Sequence, residues 1–278
     1  MVRKLFKIRK LPLLRSKLFY STIFIATSSF FVYSNWNIFN MGLFENETRL
    51  GSRDFGLWSQ KQVPYFLRSF LFGIYSYYYG VVTDDMVKSF SEYKTINSFF
   101  TREIKPRNIS QEEGVMVSPA DSKILSVVPV TKDMVVAVKG VDYSLGQFLY
   151  GKDVSLTEAD IEKMKSKSEN KLMSVVYYLS PGDYHRYHSN DSWKISKINH
   201  IPGHLAKVKD TAMTETTYTE NERVIVFGDS PLGKFYYGIV GATNVGSMDL
   251  SFDKELKTNI MENDQKVLNY FLKLSDFI

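Results

Sequence analysis

The sequence contains no cysteine. That excludes disulfides, Cys-ligated zinc, iron–sulfur clusters and a thiol nucleophile, and it says little about compartment. Histidine is scarce too, with four in 278 residues, and there are only eight prolines. No repeat, heptad or low-complexity linker interrupts the chain. An excess of charge is also missing from the body of the protein. Of the 35 basic residues, seven (Arg3, Lys4, Lys7, Arg9, Lys10, Arg15 and Lys17) precede Leu18 with no acid among them, which leaves 28 basic against 30 acidic residues in the remainder. A near-neutral body removes the main support for a nucleic-acid partner. With 44% hydrophobic and 15% aromatic residues, the chain has enough apolar side chain for a large core and too much for disorder.

Charge is absent altogether between Leu18 and Phe44. A membrane helix needs about 20 largely apolar residues. Leu18–Tyr33 (LFYSTIFIATSSFFVY) and its polar extension reach that length behind a basic flank of the positive-inside kind. The expectation for residues 1–44 is an uncleaved membrane anchor, with a cleaved targeting peptide as the alternative. A second lipid-compatible stretch, Val63–Tyr79 (VPYFLRSFLFGIYSYYY), is rich in Phe, Leu and Tyr but short, and it carries Arg68. Its composition suits a membrane–water interface or, equally, an amphipathic helix lying on a core.

Helical spacing of Met86, Phe90, Tyr93 and Ile96 predicts a helix over Asp84–Lys105. Beyond Gly114 the texture changes to short β-branched runs between turn residues: Lys123–Val130, Met134–Val138, Leu172–Leu179, Trp193–His200, Arg223–Phe227 and Phe235–Val240. A charged helical insert, Thr157–Lys167, lies among them. The reading is an α+β protein in three parts. Residues 1–44 are the basic anchor or targeting segment, 45–113 a helical membrane-associated region, and 114–278 a β-rich catalytic domain.

All four histidines fall within twenty residues: His185, His188, His200 and His204. His185 and His188 stand in S-P-G-D-Y-H-R-Y-H, directly after a strand-like run, where loops often carry catalytic side chains. Imidazoles at this density suit acid–base chemistry or a three-nitrogen zinc site, although no H-E-x-x-H helix accompanies them. Asp121, in S-P-A-D-S (118–122), precedes another strand. Alone it is a turn carboxylate; beside a histidine it would orient the ring and stabilise the imidazolium. G-A-T-N-V-G-S-M (241–248) offers Ser247 as a possible nucleophile.

Taken in order, NSFFTREIKPR (97–107), SPADSKI (118–124), KGVDYSLGQFLYG (139–151), LSPGDYHRYHS (179–189), IPGHLAKV (201–208), NERVIVF (221–227) and GIVGATNVGS (238–247) closely resemble the phosphatidylserine decarboxylases. The likeness runs from about residue 60 to 250. It implies a proenzyme that makes a pyruvoyl group from one of its own serines. That group is the electron sink for decarboxylating phosphatidylserine to phosphatidylethanolamine in phospholipid biosynthesis. It also implies Asp121 with the pair His185 and His188 as catalytic residues, and does not say which histidine serves self-cleavage. The partners it implies are membrane lipid and the enzyme's own small subunit after self-cleavage; a homodimer stays open, and no metal is called for. The expected location is the mitochondrial inner membrane or the endoplasmic reticulum.

The family's pyruvoyl-forming serine lies in a Gly-Ser-Ser or Gly-Ser-Thr motif ahead of an apolar strand, and these 278 residues contain no such motif. Gly246-Ser247-Met248 matches a different family element. The serine is therefore expected C-terminal to Ile278, and this polypeptide alone is expected to be inactive. Two rival readings are an inactive homologue that binds lipid or a partner, and a His-ligated zinc hydrolase.

Overall fold

The computed structural model describes residues 45–260, apart from 111, 113–114, 137–141, 168 and 209–215. The charge-free segment of residues 18–44 and the C-terminal 261–278 lie outside the described residues. Two helices lead: α1 (Glu45–Ser59) and α2 (Tyr65–Tyr79). α2 ends where Gly80 takes up a left-handed conformation (φ 66°) and Val81 N–H returns to Ser76 O at 2.9 Å, a closure that favours glycine.

The expected helix over Asp84–Lys105 is not formed as one piece. A 3₁₀ turn, Phe90–Glu92, and a short helix α3, Ile96–Phe100, occupy its middle, while Met86 bridges Ile104 in antiparallel fashion. The reason is local hydrogen bonding. Ser89 with Glu92, and Thr95 with Ser98, each form a reciprocal capping box, and two helix starts six residues apart cannot belong to one continuous helix. The apolar set was nevertheless the right one. Met86, Tyr93, Phe99, Phe72, Val63 and Val81 form one core cluster, with Phe90 and Ile96 packed against it. Phe99 is its centre, stacked on Phe72 at 4.6 Å and meeting Tyr75, Phe90 and Tyr93 edge-on.

The body is built from antiparallel strands, as the β-branched runs predict. β1 (Lys123–Pro129) pairs with β4 (Met173–Tyr178), β2 (Val135–Val136) with β3 (Asp142–Tyr143), and β5 (Lys194–Ile201), β6 (Arg223–Ser230) and β7 (Gly233–Val240) form a three-stranded sheet in that order. Helices α4 (Leu145–Tyr150), α5 (Glu158–Met164) and α6 (Thr217–Glu220) cover it. β6 is the central strand and is buried from Arg223 to Gly228. Ile225 and Phe227 enter one apolar cluster with Leu149, Ile161 and Tyr218, whereas Val224 enters another with Ile239, Met248 and Leu250. This alternation is the signature of a strand covered on both faces. The chain is an α+β protein.

Glu222, just before β6, and Arg223, its first residue, are both fully buried, and each is satisfied by neighbours. Glu222 accepts from His200 Nε2 (2.9 Å), Asn259 N–H (2.6 Å) and Arg49 Nη2 (3.3 Å). The Arg223 guanidinium donates to the carbonyls of Phe148, Gln147, Thr219 and Asn221 at 2.7–2.8 Å, and burial pulls its pKa down to about 10. Through Arg49, Glu222 ties α1 to the sheet.

Phe99→Ala should cost about 3–5 kcal/mol, the usual penalty for emptying a buried aromatic site. Hydrogen exchange should show the loss concentrated in α2, α3 and their connection, with β6 amides still protected. Equal loss in β6 would mean that the helical module and the sheet unfold as one unit.

Candidate active site

Strand register assembles the site. β1 and β4 run antiparallel with Lys123 opposite Tyr178. Residues just before β1 and just after β4 therefore emerge at the same end of the ribbon. The first segment is S-P-A-D-S and the second is S-P-G-D-Y-H-R-Y-H-S. They touch: His188 N–H donates to the Pro119 carbonyl at 2.8 Å.

The second segment is a folded loop. Asp183 closes its turn by accepting from Ser180 N–H at 2.6 Å. Gly182 is buried so tightly against α2 that a Cβ there would overlap the Tyr79 carbonyl. Tyr184 is buried and lies parallel to the exposed ring of His188, its hydroxyl 3.0 Å from His188 Nε2. His185 points inward and rests against Phe100, with 3.9 Å between ring centroids. Its Nδ1–H donates to the Asp183 carbonyl at 2.9 Å. Since a carbonyl only accepts, this bond fixes the tautomer and leaves Nε2 with a free lone pair. Burial holds the His185 imidazole below its ordinary pKa; Asp183 opposes the shift and the Arg102 charge adds to it.

Asp121 sits at the same end of the ribbon with a different partner from the one expected. Among the described residues its carboxylate bonds to no imidazole. Arg107 grips it with two parallel bonds, Nη1 to Oδ1 at 2.6 Å and Nη2 to Oδ2 at 3.0 Å, and also engages Asp85. A planar guanidinium offers two donors in the geometry of a carboxylate, which an imidazole cannot match. Asp121 still reaches the histidine loop electrostatically. The Tyr184 phenol is raised mainly by burial and further by Asp121, while Arg186 and Arg107 pull it back. Tyr184 thus responds to Asp121 and bonds to His188.

The other histidines are elsewhere. His200, on β5, belongs to the Glu222 network, and His204 is exposed, its backbone paired with Glu220 and Glu222. Among the described residues no three His, Asp or Glu side chains gather as metal ligands, so the sequence clustering of histidines does not become a zinc site. Ser247 is exposed and lines a cavity of about 130 Å³ with Arg53, Gly56, Leu57, Gln60, Asn259 and Ile260, none of them Asp121 or a histidine. Sequence reasoning passed over Tyr184, Arg102 and Arg107, although all three stand inside the motifs already singled out.

Comparison with known proteins identifies the family. The family model described as phosphatidylserine decarboxylase matches residues 96–268. The chain is 38% identical over 226 residues to the mitochondrial phosphatidylserine decarboxylase proenzyme of Cricetulus griseus, covering 76% of this chain and 55% of that protein. To the mitochondrial proenzyme of Caenorhabditis elegans it is 34% identical over 241 residues, covering 85% and 61%. Identity to the proenzyme of Plasmodium knowlesi is 29% over 216 residues, covering 76% and 59%. The chain belongs to the phosphatidylserine decarboxylase family, and it spans a little over half the length of the curated relatives it matches.

A histidine whose folded pKa lies below its unfolded value binds fewer protons in the native state, so acid favours unfolding. His185 should therefore be less protonated at pH 6.5 than an ordinary histidine, which is half protonated there. Its contribution should make the protein less stable as pH falls from about 6.5 toward the depressed folded value. Imidazole NMR titration checks the first point and denaturation at several pH values the second. His185→Gln should flatten the slope in that window.

Proposed function

We propose that this protein is the decarboxylase its family membership suggests, converting phosphatidylserine to phosphatidylethanolamine, with Asp121, Tyr184, His185 and His188 as its chemical centre. The observation that carries the reading is the junction of the two motifs at one end of the β1–β4 ribbon, closed by the His188 N–H bond to Pro119. Nothing in either motif alone requires that meeting.

The family implies a pyruvoyl group made when a deprotonated serine hydroxyl attacks the preceding carbonyl, the ester so formed eliminates to break the chain, and the dehydroalanine left behind is hydrolysed with loss of ammonia. Groups able to take up and return a proton must surround that serine. His188, Tyr184 and Asp121 are such a set and fit that demand; Ser247 lies among residues that do not. In place, a pyruvoyl group supplies the electron sink for the carbanion left when carbon dioxide departs. His188 is exposed at the loop's end and is the base for the serine hydroxyl. Tyr184 holds its ring through the hydroxyl contact to Nε2, and Asp121 lies at the same end of the ribbon as the carboxylate of the set. His185 is half-buried and neutral with Nε2 free, which suits proton exchange with the substrate. Arg107 orients Asp121.

The same reading assigns α2 to a lipid surface. Phe72 and Ser76 face the core, while Tyr65, Phe66, Tyr77 and Tyr78 are each at least 70% exposed. Arg68, the one charge on this helix, folds back onto the carbonyls of Val63 and Ser91, leaving the outer face free of charge. Among the described residues no helix is long and apolar enough to cross a membrane. The exposed aromatic, uncharged face suits α2 to an interface, and its Tyr75 O–H donates to Pro181 O in the histidine loop at 2.7 Å. Mitochondrial relatives favour a mitochondrial membrane as the location, with residues 1–44 as its further anchor, 45–113 as the membrane-associated region and 114–278 as the catalytic domain.

In a protein that includes the downstream Gly-Ser-Ser or Gly-Ser-Thr segment, phosphatidylserine vesicles should lose carbon dioxide and accumulate phosphatidylethanolamine. Asp121→Asn should leave the fold intact and an uncut band on the gel. His188→Ala should slow self-cleavage by about 10²–10⁴-fold, the usual worth of a general base. His185→Ala should permit cleavage and lose turnover. Normal processing and full turnover in Asp121→Asn would remove that carboxylate from the mechanism. Residues 1–278 alone should stay uncut between Gly246 and Ser247.

Deleting residues 1–44 should weaken membrane attachment but leave sedimentation with anionic vesicles. Adding Phe66→Ser and Tyr77→Ser should abolish that remainder. A deletion variant that never sediments would dismiss the interfacial role of α2.

A further inference from the structure

Arg102 is 3% exposed and lies in the aromatic core of the helical module, its guanidinium 5.8 Å from the Phe99 ring centroid. No carboxylate bonds to it among the described residues. Nη2 donates to the Gly182 carbonyl at 3.0 Å, and Nε and Nη1 are buried without a partner. A cation in such a place is expensive; the usual solution is a buried counter-ion or replacement by an apolar side chain of similar volume. Burial accordingly draws its pKa down, with Asp85 the first of the charges that oppose this. The one bond it does make reaches across 80 residues to the turn that carries His185.

That turn is gripped from several sides. Tyr75 O–H takes the carbonyl of Pro181 and Arg102 the next carbonyl, that of Gly182. Arg186, just beyond His185, donates Nε–H to Thr101 O at 2.8 Å and pairs loosely with Glu103. Phe100, two residues before Arg102, is the surface on which the His185 ring lies. The segment Phe99–Glu103 therefore forms a cradle for the histidine turn.

We propose that Arg102 is a positioning residue, whose buried guanidinium anchors the Pro181–Asp183 turn and thereby seats the His185 ring against Phe100. The proposal rests on the reading of His185 as a working residue of the site. It also accounts for the cost of the buried charge. A methionine would fill the volume but would hold no carbonyl and place no positive charge near the imidazole. The charged groups that bear on His185 are Asp183, which favours its protonation, and Arg102, which opposes it.

The test uses imidazole NMR of the full chain and needs no catalysis. In the wild type, His185 ring protons should be shifted upfield by Phe100 and should titrate below the ordinary histidine range. In Arg102→Met the upfield shift should collapse and the titration should move upward, while His200, held by Glu222, stays where it was. Arg102→Lys keeps the charge and can offer one donor to Gly182 O, so it should restore both signatures. Unchanged His185 signals in a folded Arg102→Met protein would overturn the proposal. If Arg102→Met does not fold, a folded Arg102→Lys protein that loses both signatures would overturn it as well. Altered His185 signals, with undiminished turnover when the same substitution is made in a protein that carries a Gly-Ser-Ser or Gly-Ser-Thr segment, would instead count against the catalytic reading of His185 and leave the positioning role standing.

Discussion

The pairing of β1 with β4 is the constraint on which the site depends. Ladder hydrogen bonds set Lys123 opposite Tyr178, and side chains alternate along each strand. A slip of one residue would turn every side chain of the ribbon to its other face and carry the two motifs out of step. Val128 and Val176 pack against the main core cluster, so burial penalises such a slip. Held in register, two turns nearly sixty residues apart leave the ribbon at the same end. The contact between His188 N–H and Pro119 O then closes the gap.

The helical module supplies what the ribbon lacks. A loop after an edge strand would be mobile if only the strand held it. Here α2 and the Phe99–Arg107 segment grip it through Tyr75, Arg102 and Phe100, while Arg107 fixes Asp121 from the same segment. The helix whose outer face is aromatic and uncharged is thus in direct contact with the chemical centre. Under the function proposed above, a lipid headgroup at a bilayer surface would meet the histidines without extraction of the lipid.

Much of this was legible in the sequence. Strands β1, β2 and β4 to β7 were visible as β-branched runs, and α5 as a charged insert, because their composition and periodicity reflect burial directly. The helix over Asp84–Lys105 was misread because apolar spacing reported which residues are buried, and not that two capping boxes would divide the backbone. Tiny β3 and the short α4 carry too few residues for any period to show. Within the site, Asp121, His185 and His188 stood out as residue types with acid–base chemistry. Arg107 did not, since a planar two-donor fit to Asp121 exists only in three dimensions. Tyr184 and Arg102 were hidden for the same reason: one gains its meaning from a ring stacked four residues away, the other from a carbonyl eighty residues away.

The central claim is that the Asp121 turn and the histidine loop form one site. The most direct measurement is the scalar coupling carried across the hydrogen bond from the His188 amide nitrogen to the Pro119 carbonyl carbon, in protein labelled with ¹⁵N and ¹³C. A resolved correlation between the two, with a His188 amide that exchanges slowly with solvent, is the result this account predicts. No correlation, together with a His188 amide exchanging as fast as an open loop while β1 and β4 amides remain protected, would show that the ribbon forms and the two motifs do not meet.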